Sequence, residues 1–168
     1  ISGNLLRYSR YETVEYKESN PLTLLDEALS LVEKELYASD IQLAKEFSPL
    51  ADQKLIPGQI QEVFLNIILN ARDAMPYGGK LTIKTSFQEG SNNIFFHDTG
   101  EGIAPENIKK IFEPFFTTKK HRTDKSGTGL GLAISYQIIQ KHGGAILVES
   151  TLQKGTQFQI VLPIKESK

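Results

Sequence analysis

The chain has 168 residues, of which 39% are hydrophobic and 23% charged, a composition that supports one buried core and excludes disorder, collagen and coiled coil as descriptions of the whole chain. Nineteen basic and twenty acidic side chains give a formal net charge of -1, so no global field attracts nucleic acid. The absence of cysteine excludes disulfides, cysteine-type zinc sites and thiolate catalysis. The lack of cysteine also favours a reducing compartment such as the cytoplasm. No segment of the sequence is typical of a membrane span or a signal peptide.

The predicted elements begin with residues 1–15, whose apolar positions suit the end of an amphipathic helix followed by a linker. A helix of roughly 16 residues is predicted from Pro21, because Ser19 or Asn20 can cap it and leucines follow at helical spacing. Residues 41–47 and 54–56 alternate as short strands do, and a long helix is predicted over 59–75.

The second half of the chain predicts a hairpin over 81–86 and 94–96, with its turn at 90–93. Residues 100–131 are rich in Gly, Thr, Lys and Ser and predict a long loop with a short helical piece near 105–112. A helix over 132–142 and two strands, 146–149 and 158–164, complete the chain. About five strands and three or four helices favour helices layered on one face of an antiparallel or mixed sheet.

The predicted helix over 59–75 carries a polar stripe on an otherwise apolar surface. Glu62, Asn66, Asn70 and Asp73 fall at i, i+4, i+8 and i+11, which places them on one face. If this face is buried, the stripe needs partners other than helical backbone, which is already paired: water, other side chains, or a polar ligand with its metal ion. If it is not buried, the stripe faces solvent. The amide oxygens of Asn66 and Asn70 suit a hard cation such as Mg²⁺.

Residues 97–102, His-Asp-Thr-Gly-Glu-Gly, end a run of strand residues with an acid and two alternating glycines. Such a pattern is common in purely structural turns. It also suits recognition of adenine, since the glycines let a planar ring approach the backbone. An ionised Asp98 would accept a hydrogen bond from the 6-amino group and would leave the contact with guanine unpaired.

A third pattern, Gly127-Thr128-Gly129-Leu130-Gly131-Leu132, opens the last predicted helix. Its glycines expose backbone N–H groups at a helix N-terminus, which suits phosphate. It is not a Rossmann fingerprint, because the third glycine would fall on Leu132 and no strand precedes it, and no P-loop occurs. Just upstream, residues 119–125 carry four positive charges against one negative, which indicates either a solvated loop or a segment that neutralises a polyphosphate.

In order, these motifs resemble the N, G1, F, G2 and G3 boxes of sensor histidine kinases over about residues 20 to 163. The resemblance implies a Bergerat-type ATP-binding domain of the superfamily that includes gyrase, Hsp90 and MutL. Its fold is α+β, a two-layer α/β sandwich in which three helices cover one face of a mixed five-stranded sheet, with a long ATP lid. Residues 115–119 and 70–75 look most like nitrogen-regulation and sporulation kinases. The matching segments are Asn66 to Ala71, Asp98 to Ile103, Ile111 to Phe116, Gly127 to Leu132 and Gly155 to Phe158.

The resemblance assigns roles to individual residues. Asn66 would bind Mg²⁺, Asn70 the ion or a phosphate, and Asp98 the adenine amino group. Thr156 would sit by the base, directly or through water. The other expected ATP or ADP contacts are Gly100, Gly102, Ile103, Phe115, Thr118, Lys119, Gly127, Thr128, Gly129, Leu130, Gly131 and Leu132.

Two further positions depart from what the resemblance implies. Glu62, the second catalytic candidate beside Asn66, stands where related ATPases keep a water-activating acid, which a histidine kinase does not need. Asp73 stands where many histidine kinases place a phosphate-contacting lysine, so that contact shifts to the lid. The phosphate-accepting histidine motif of a dimerisation hairpin is missing, and His97, His121 and His142 each have a better structural explanation.

The resemblance therefore implies the catalytic half of a larger kinase, which transfers the γ-phosphoryl group of ATP to a histidine on a dimerisation domain outside this chain. Residues 1–15 would end the dimerisation hairpin, and 16–168 would be the catalytic ATP-binding domain. Expected partners are that domain and a response regulator receiver domain. We expect this piece to be monomeric and to bind ATP without autophosphorylating, and the parent to be a homodimer, cytoplasmic or membrane-anchored. The alternatives are a serine-directed anti-sigma-type kinase of the same fold, an ATPase clamp, and a nucleotide-sensing interaction domain without transfer activity.

Overall fold

The computed structural model describes residues 15–116 and 130–165. Residues 1–14, with most of the predicted N-terminal helix and linker, lie outside the described residues. In chain order the elements are β1 (Lys17–Ser19), α1 (Pro21–Ala38), β2 (Ile41–Phe47), β3 (Gln53–Leu55), α2 (Pro57–Asp73), β4 (Gly79–Gln88), β5 (Ser91–Asp98), α3 (Pro105–Ile108), α4 (Gly131–Lys141), β6 (Ala145–Thr151) and β7 (Gly155–Pro163).

The main sheet has five strands in the order β2-β4-β5-β7-β6. β2 runs parallel to β4, and the other neighbours pair antiparallel. Along β4 the burial alternates: Leu81 and Ile83 are buried, whereas Lys80 and Lys84 are exposed. The buried face packs against α1, α2 and α4 in one hydrophobic core. The predicted α+β sandwich, a mixed sheet under three helices, is confirmed.

Local sequence explains where the first two helices begin. Asn20 caps α1, and its side chain accepts a hydrogen bond from the Leu22 amide at 2.9 Å. Ser19, the other predicted cap, instead ends β1 and donates to the Lys17 carbonyl at 2.8 Å. α2 begins at Pro57 and ends at Asp73, two residues earlier at each end than predicted. Proline suits the first helical position, and the proline at position 76 disfavours helical backbone in the residue before it.

Several other predicted boundaries were wrong. The β4–β5 turn is not at 90–93 but at Glu89 and Gly90, both with positive φ (54° and 77°), and β5 already begins at Ser91. A two-residue turn with both residues left-handed matches the twist of a hairpin. The helical piece predicted near 105–112 stops at Ile108, and β6 and β7 are longer than predicted.

A second sheet of two strands, β1 and β3, stands beside the main sheet, and sequence periodicity did not predict β1. The fully buried Asn92 of β5 joins the two sheets. Its Oδ1 accepts from the Ala51 amide at 2.9 Å, and its Nδ2 donates to the Ala51 carbonyl and to Gln53 Oε1, both at 2.8 Å. Because buried polar groups need partners, this network holds the segment before β3 in one position.

His142 follows the last residue of α4 and is 8% exposed. Its Nδ1 lies 2.8 Å from the Ile138 carbonyl, and its Nε2 accepts a hydrogen bond from the Ile56 amide at 3.0 Å. These partners require the neutral ring with the proton on Nδ1. Burial lowers the pKa of His142, and the nearby Lys141 charge acts in the same direction, against the effect of the Ile138 hydrogen bond. The ring thus holds the start of α2 against the end of α4.

Across residues 15–116 and 130–165, no helix combines the length and the apolar character that crossing a bilayer requires.

Candidate functional site

Four elements meet where β5 ends. Asp98 is the last residue of β5, and in the sheet register it lies opposite Leu81 of β4 and Thr156 of β7. The loop that follows Asp98 runs between the C-terminal end of α2 and the β6–β7 turn. The sheet therefore brings two of the predicted motifs together: the aspartate before the two glycines, and the segment from Gly155 to Phe158.

The Asp98 carboxylate is 3% exposed. Its Oδ1 accepts hydrogen bonds from the Gly100 amide at 2.8 Å and the Thr156 amide at 3.3 Å. Burial raises the pKa of Asp98, and this effect outweighs the two backbone hydrogen bonds and the nearby His97, which lower it. A desolvated carboxylate gains most from an additional N–H donor, so this position suits a ligand that brings one.

Gly100 and Gly102 are required by the packing of the protein itself. A Cβ atom on Gly100 would lie 2.4 Å from the Ala74 carbonyl oxygen, and one on Gly102 would lie 2.2 Å from that of Thr151. Gly102 also has a φ of 75°, a conformation that side chains disfavour. The packing of the loop is therefore a sufficient reason for both glycines, and the approach of a base to them stays a prediction.

Sequence reasoning missed Ser150, which connects the loop to β7. The Ile103 amide donates to Ser150 Oγ at 2.8 Å, and Ser150 Oγ lies 2.8 Å from the hydroxyl oxygen of Thr156. Thr156 is buried and Ile103 half-buried. The available signal was the strand register, which places Ser150 opposite Thr156. The predicted strand ended at 149, one residue short of it.

The polar stripe of α2 faces α4 and not solvent alone. Asn66 Nδ2 donates to the Gly131 carbonyl at 3.2 Å and to Ser135 Oγ at 3.1 Å. The Ser135 hydroxyl is a side-chain partner of the kind that the sequence predicted. The Gly131 carbonyl is a helical backbone partner that was not predicted, and it can accept because a carbonyl has a second lone pair. Asn70 is half-buried one turn later, and Glu62 is exposed one turn earlier. The stripe therefore runs from solvent into the contact between the two helices.

The donor set of this stripe fits a hard cation. Asn66 Nδ2 donates to two acceptors, which leaves the amide oxygen as the atom that could bind a cation, and amide oxygens are suitable ligands for Mg²⁺. Within the described part of the chain, no group of three or more His, Asp or Glu residues could hold a metal ion. A divalent cation at Asn66 and Asn70 would complete its shell with phosphate oxygens and water.

Asp73, at the end of the stripe, belongs to a charge cluster. Its side chain is 3% exposed, and its Oδ1 accepts from Arg72 Nη2 at 3.0 Å. Arg72 also pairs with Glu35 of α1. The cluster links α1 to the end of α2. It also places Arg72 next to Asp73, the position at which many histidine kinases carry a lysine by the family resemblance.

The lid prediction falls partly within the described residues. Phe115 is 73% exposed with a φ of 69°. The ring of Phe112 packs on Tyr136 of α4 with centroids 5.3 Å apart. Leu130 caps α4, and Gly131 and Leu132 form its first turn, all three half-buried. The remaining predicted contacts lie outside the described residues: Thr118, Lys119, Gly127, Thr128 and Gly129.

The fold and this site define the class: a nucleotide-binding α/β sandwich with an aspartate at a strand end and an asparagine-bearing helix. The chain belongs to the family of histidine kinase-, DNA gyrase B- and HSP90-like ATPases, which matches residues 56–166. Within it the chain is a histidine kinase catalytic domain, as predicted. The catalytic domain of the histidine kinase ThkA, solved without nucleotide, is 31% identical with a TM-score of 0.77; the match covers 89% of this chain and 97% of that one.

Two similar kinases are longer than this chain. Sporulation kinase C of Bacillus subtilis (strain 168) is 34% identical over 98% of this chain. The signal transduction histidine-protein kinase AtoS of Escherichia coli (strain K12) is 38% identical over 98%. The chain spans only 38% and 26% of their lengths. Full-length ShkA, crystallised with AMPPNP, is 27% identical with a TM-score of 0.79, and the match covers 92% of this chain and 32% of ShkA.

Proposed function

We propose that this chain binds ATP with Mg²⁺ and acts, within a longer sensor kinase, as the domain that transfers the γ-phosphoryl group to a histidine of a dimerisation domain. The observation that carries the proposal is the buried Asp98, fixed at the end of β5 by the Gly100 and Thr156 amides. The relatives support it, since they are named as kinases and ShkA was crystallised with AMPPNP.

Asp98 would recognise the base. Both backbone amides bind its Oδ1, so Oδ2 is the oxygen that a ligand amino group would address. Adenine carries such a group at position 6, where guanine carries a carbonyl oxygen that an ionised carboxylate repels. Ile103 and Thr156, joined through Ser150, would border the base on its other side.

Asn66, Asn70 and the start of α4 would hold the phosphate end. The first-turn N–H groups of α4 form the positive end of an 11-residue helix, capped by a leucine that offers no side-chain acceptor to them. Mg²⁺, when bound, would neutralise phosphate charge. Asn66 would direct its amide oxygen toward that ion while its Nδ2 holds the helix start. We assign no step to the exposed Glu62, because transfer to an imidazole needs no water-activating base.

In the proposed reaction the bond between the γ-phosphorus and the β–γ bridging oxygen breaks, and a bond forms between that phosphorus and an imidazole nitrogen. ADP leaves with the bridging oxygen, and the imidazole loses its proton to solvent. The domain contributes positioning and charge neutralisation and forms no covalent intermediate.

The partners follow from the same proposal. The dimerisation domain of the parent kinase supplies the histidine, and a response regulator receiver domain takes the phosphoryl group from it. The parent would be a homodimer with this domain in the cytoplasm, while this piece by itself would be a monomer. The greater length of the named relatives supports the presence of further domains.

The test is to mix this chain with the dimerisation hairpin of its parent and γ-labelled ATP. We expect acid-labile, base-stable label on the hairpin, no label on the chain alone, and much slower transfer by Asp98→Asn at ATP concentrations that do not saturate it. Acid-stable label on a serine would instead indicate a serine kinase of the same fold. Nucleotide binding without any transfer would indicate a sensing module.

A further inference from the structure

The loop after Asp98 is held from both sides. On one side the Glu101 amide donates to the Ala74 carbonyl at 3.0 Å. On the other side the Gln153 amide donates to the Glu101 carbonyl at 2.6 Å, and the Ile103 amide donates to Ser150 Oγ at 2.8 Å. The β6–β7 hairpin therefore sets the position of the loop, and Ser150 is the residue whose side chain does so.

Ser150 is the centre of three contacts. Besides the Ile103 amide, its Oγ lies 2.9 Å from the Gly155 carbonyl oxygen and 2.8 Å from Thr156 Oγ1. A carbonyl can only accept, so the single Ser150 proton goes to Gly155. The contact with Thr156 is then a hydrogen bond only if the Thr156 hydroxyl donates. In this arrangement Thr156 has used its proton, and its oxygen offers only lone pairs to a ligand.

We propose that Ser150 is a positioning residue for base selection. It holds Ile103 and orients the Thr156 hydroxyl as an acceptor, so that the site prefers a base carrying an amino group over one carrying a carbonyl. The inference rests on the proposed function, because it assumes that an adenine nucleotide occupies the site beside Asp98. Asp98 and Thr156 would then both accept directly from the base, and a 6-carbonyl would meet two acceptors.

The experiment measures the affinities of ADP and inosine diphosphate by calorimetry, since hypoxanthine carries a carbonyl where adenine carries the amino group. We expect the wild-type chain to prefer ADP. Ser150→Ala frees the Thr156 proton, so Thr156 can rotate to donate; we expect ADP affinity to fall about tenfold and the preference for ADP to shrink about fivefold. Ser150→Thr keeps a hydroxyl and should restore the preference. Ser86→Ala, a half-buried serine near the far end of the β4–β5 pair, should change neither value.

A merely structural role would weaken both nucleotides by the same factor, and an unchanged ratio in Ser150→Ala would overturn the proposal. If that variant does not fold, Ser150→Cys replaces it, because the thiol is a weak acceptor of similar size. The ratio of the ADP and inosine diphosphate affinities is then compared between Ser150→Cys and wild type, and an unchanged ratio would again overturn the proposal. A wild-type chain that binds neither nucleotide would remove the proposed function and this inference with it. A wild-type preference for ADP that survives in the Ser150 variants removes only the role of Ser150.

Discussion

Asp98→Asn separates base recognition from folding, because the geometry dictates how the new amide must lie. Two backbone N–H groups point at Oδ1 of Asp98, from Gly100 and from Thr156. Only an acceptor can satisfy them, so the asparagine must keep its oxygen there. Its NH₂ group then takes the place of Oδ2, where it donates toward the ligand instead of accepting.

The variant should bind ADP about ten- to a hundredfold more weakly. A hydrogen bond to a charged group contributes roughly 1.5 to 3 kcal/mol, and each 1.4 kcal/mol is about tenfold in affinity. The adenine amino group would also face a second donor, while a 6-carbonyl would gain one. The loss should therefore be smaller for inosine diphosphate than for ADP.

The stability of Asp98→Asn without nucleotide should not fall with its ADP affinity. Burial raises the pKa of Asp98 in the folded chain, so the folded chain holds this proton more tightly than the unfolded chain. The contribution of Asp98 to stability is present at low pH and is lost as the pH rises through the folded-state value. At neutral pH the buried charge costs stability, and Asp98→Asn without nucleotide should be at least as stable as the wild type.

Calorimetry with ADP and thermal unfolding without nucleotide measure the two effects. Asp26→Asn, which removes an exposed carboxylate of α1, is the matched control and should change neither. Equal ADP affinities in wild type and Asp98→Asn would refute the assignment of Asp98 to the base. A variant that loses stability together with affinity would show that the carboxylate supports the loop and does not read the base.

Three further predictions concern other parts of the chain. Burial lowers the pKa of His142, so the neutral ring stabilises the folded chain above the unfolded-state pKa near 6.5, and this stabilisation is lost as the pH falls. Between about pH 7.5 and pH 5.5, the free energy of unfolding measured in urea should therefore fall less in His142→Gln than in wild type. Asn92→Ala leaves both backbone groups of Ala51 without their partner and should cost roughly 2 to 5 kcal/mol in the same assay, whereas the exposed Gln42→Ala should cost almost nothing. Asn66→Ala should remove most of the Mg²⁺ dependence of ATP binding while adenosine binds as before; an unchanged Mg²⁺ dependence would place the cation elsewhere.

The elements that the sequence predicted best are those whose signals are local. Pro21 and its leucines define α1, and the apolar positions of α2 define a buried helix, because capping and helical spacing act within a few residues. β1 carries no such signal. Lys17–Ser19 is a strand only because β3 pairs with it, and a partner 34 residues away along the chain, as in Ser19 opposite Gln53, cannot be read from periodicity.

The candidate site divides in the same way. The residue types and their order, an aspartate before two glycines and two asparagines one turn apart, determined by themselves the family and the chemistry to expect, because those features lie within short segments. The tertiary structure alone decided that Ser150 joins Ile103 to Thr156 and that Asn66 reaches Gly131. The tertiary structure also decided that Asp98 is buried. Hydrogen-bond partners and desolvation depend on which segments the sheet register and helix packing bring within about 3 Å of one another, and no local pattern encodes that distance.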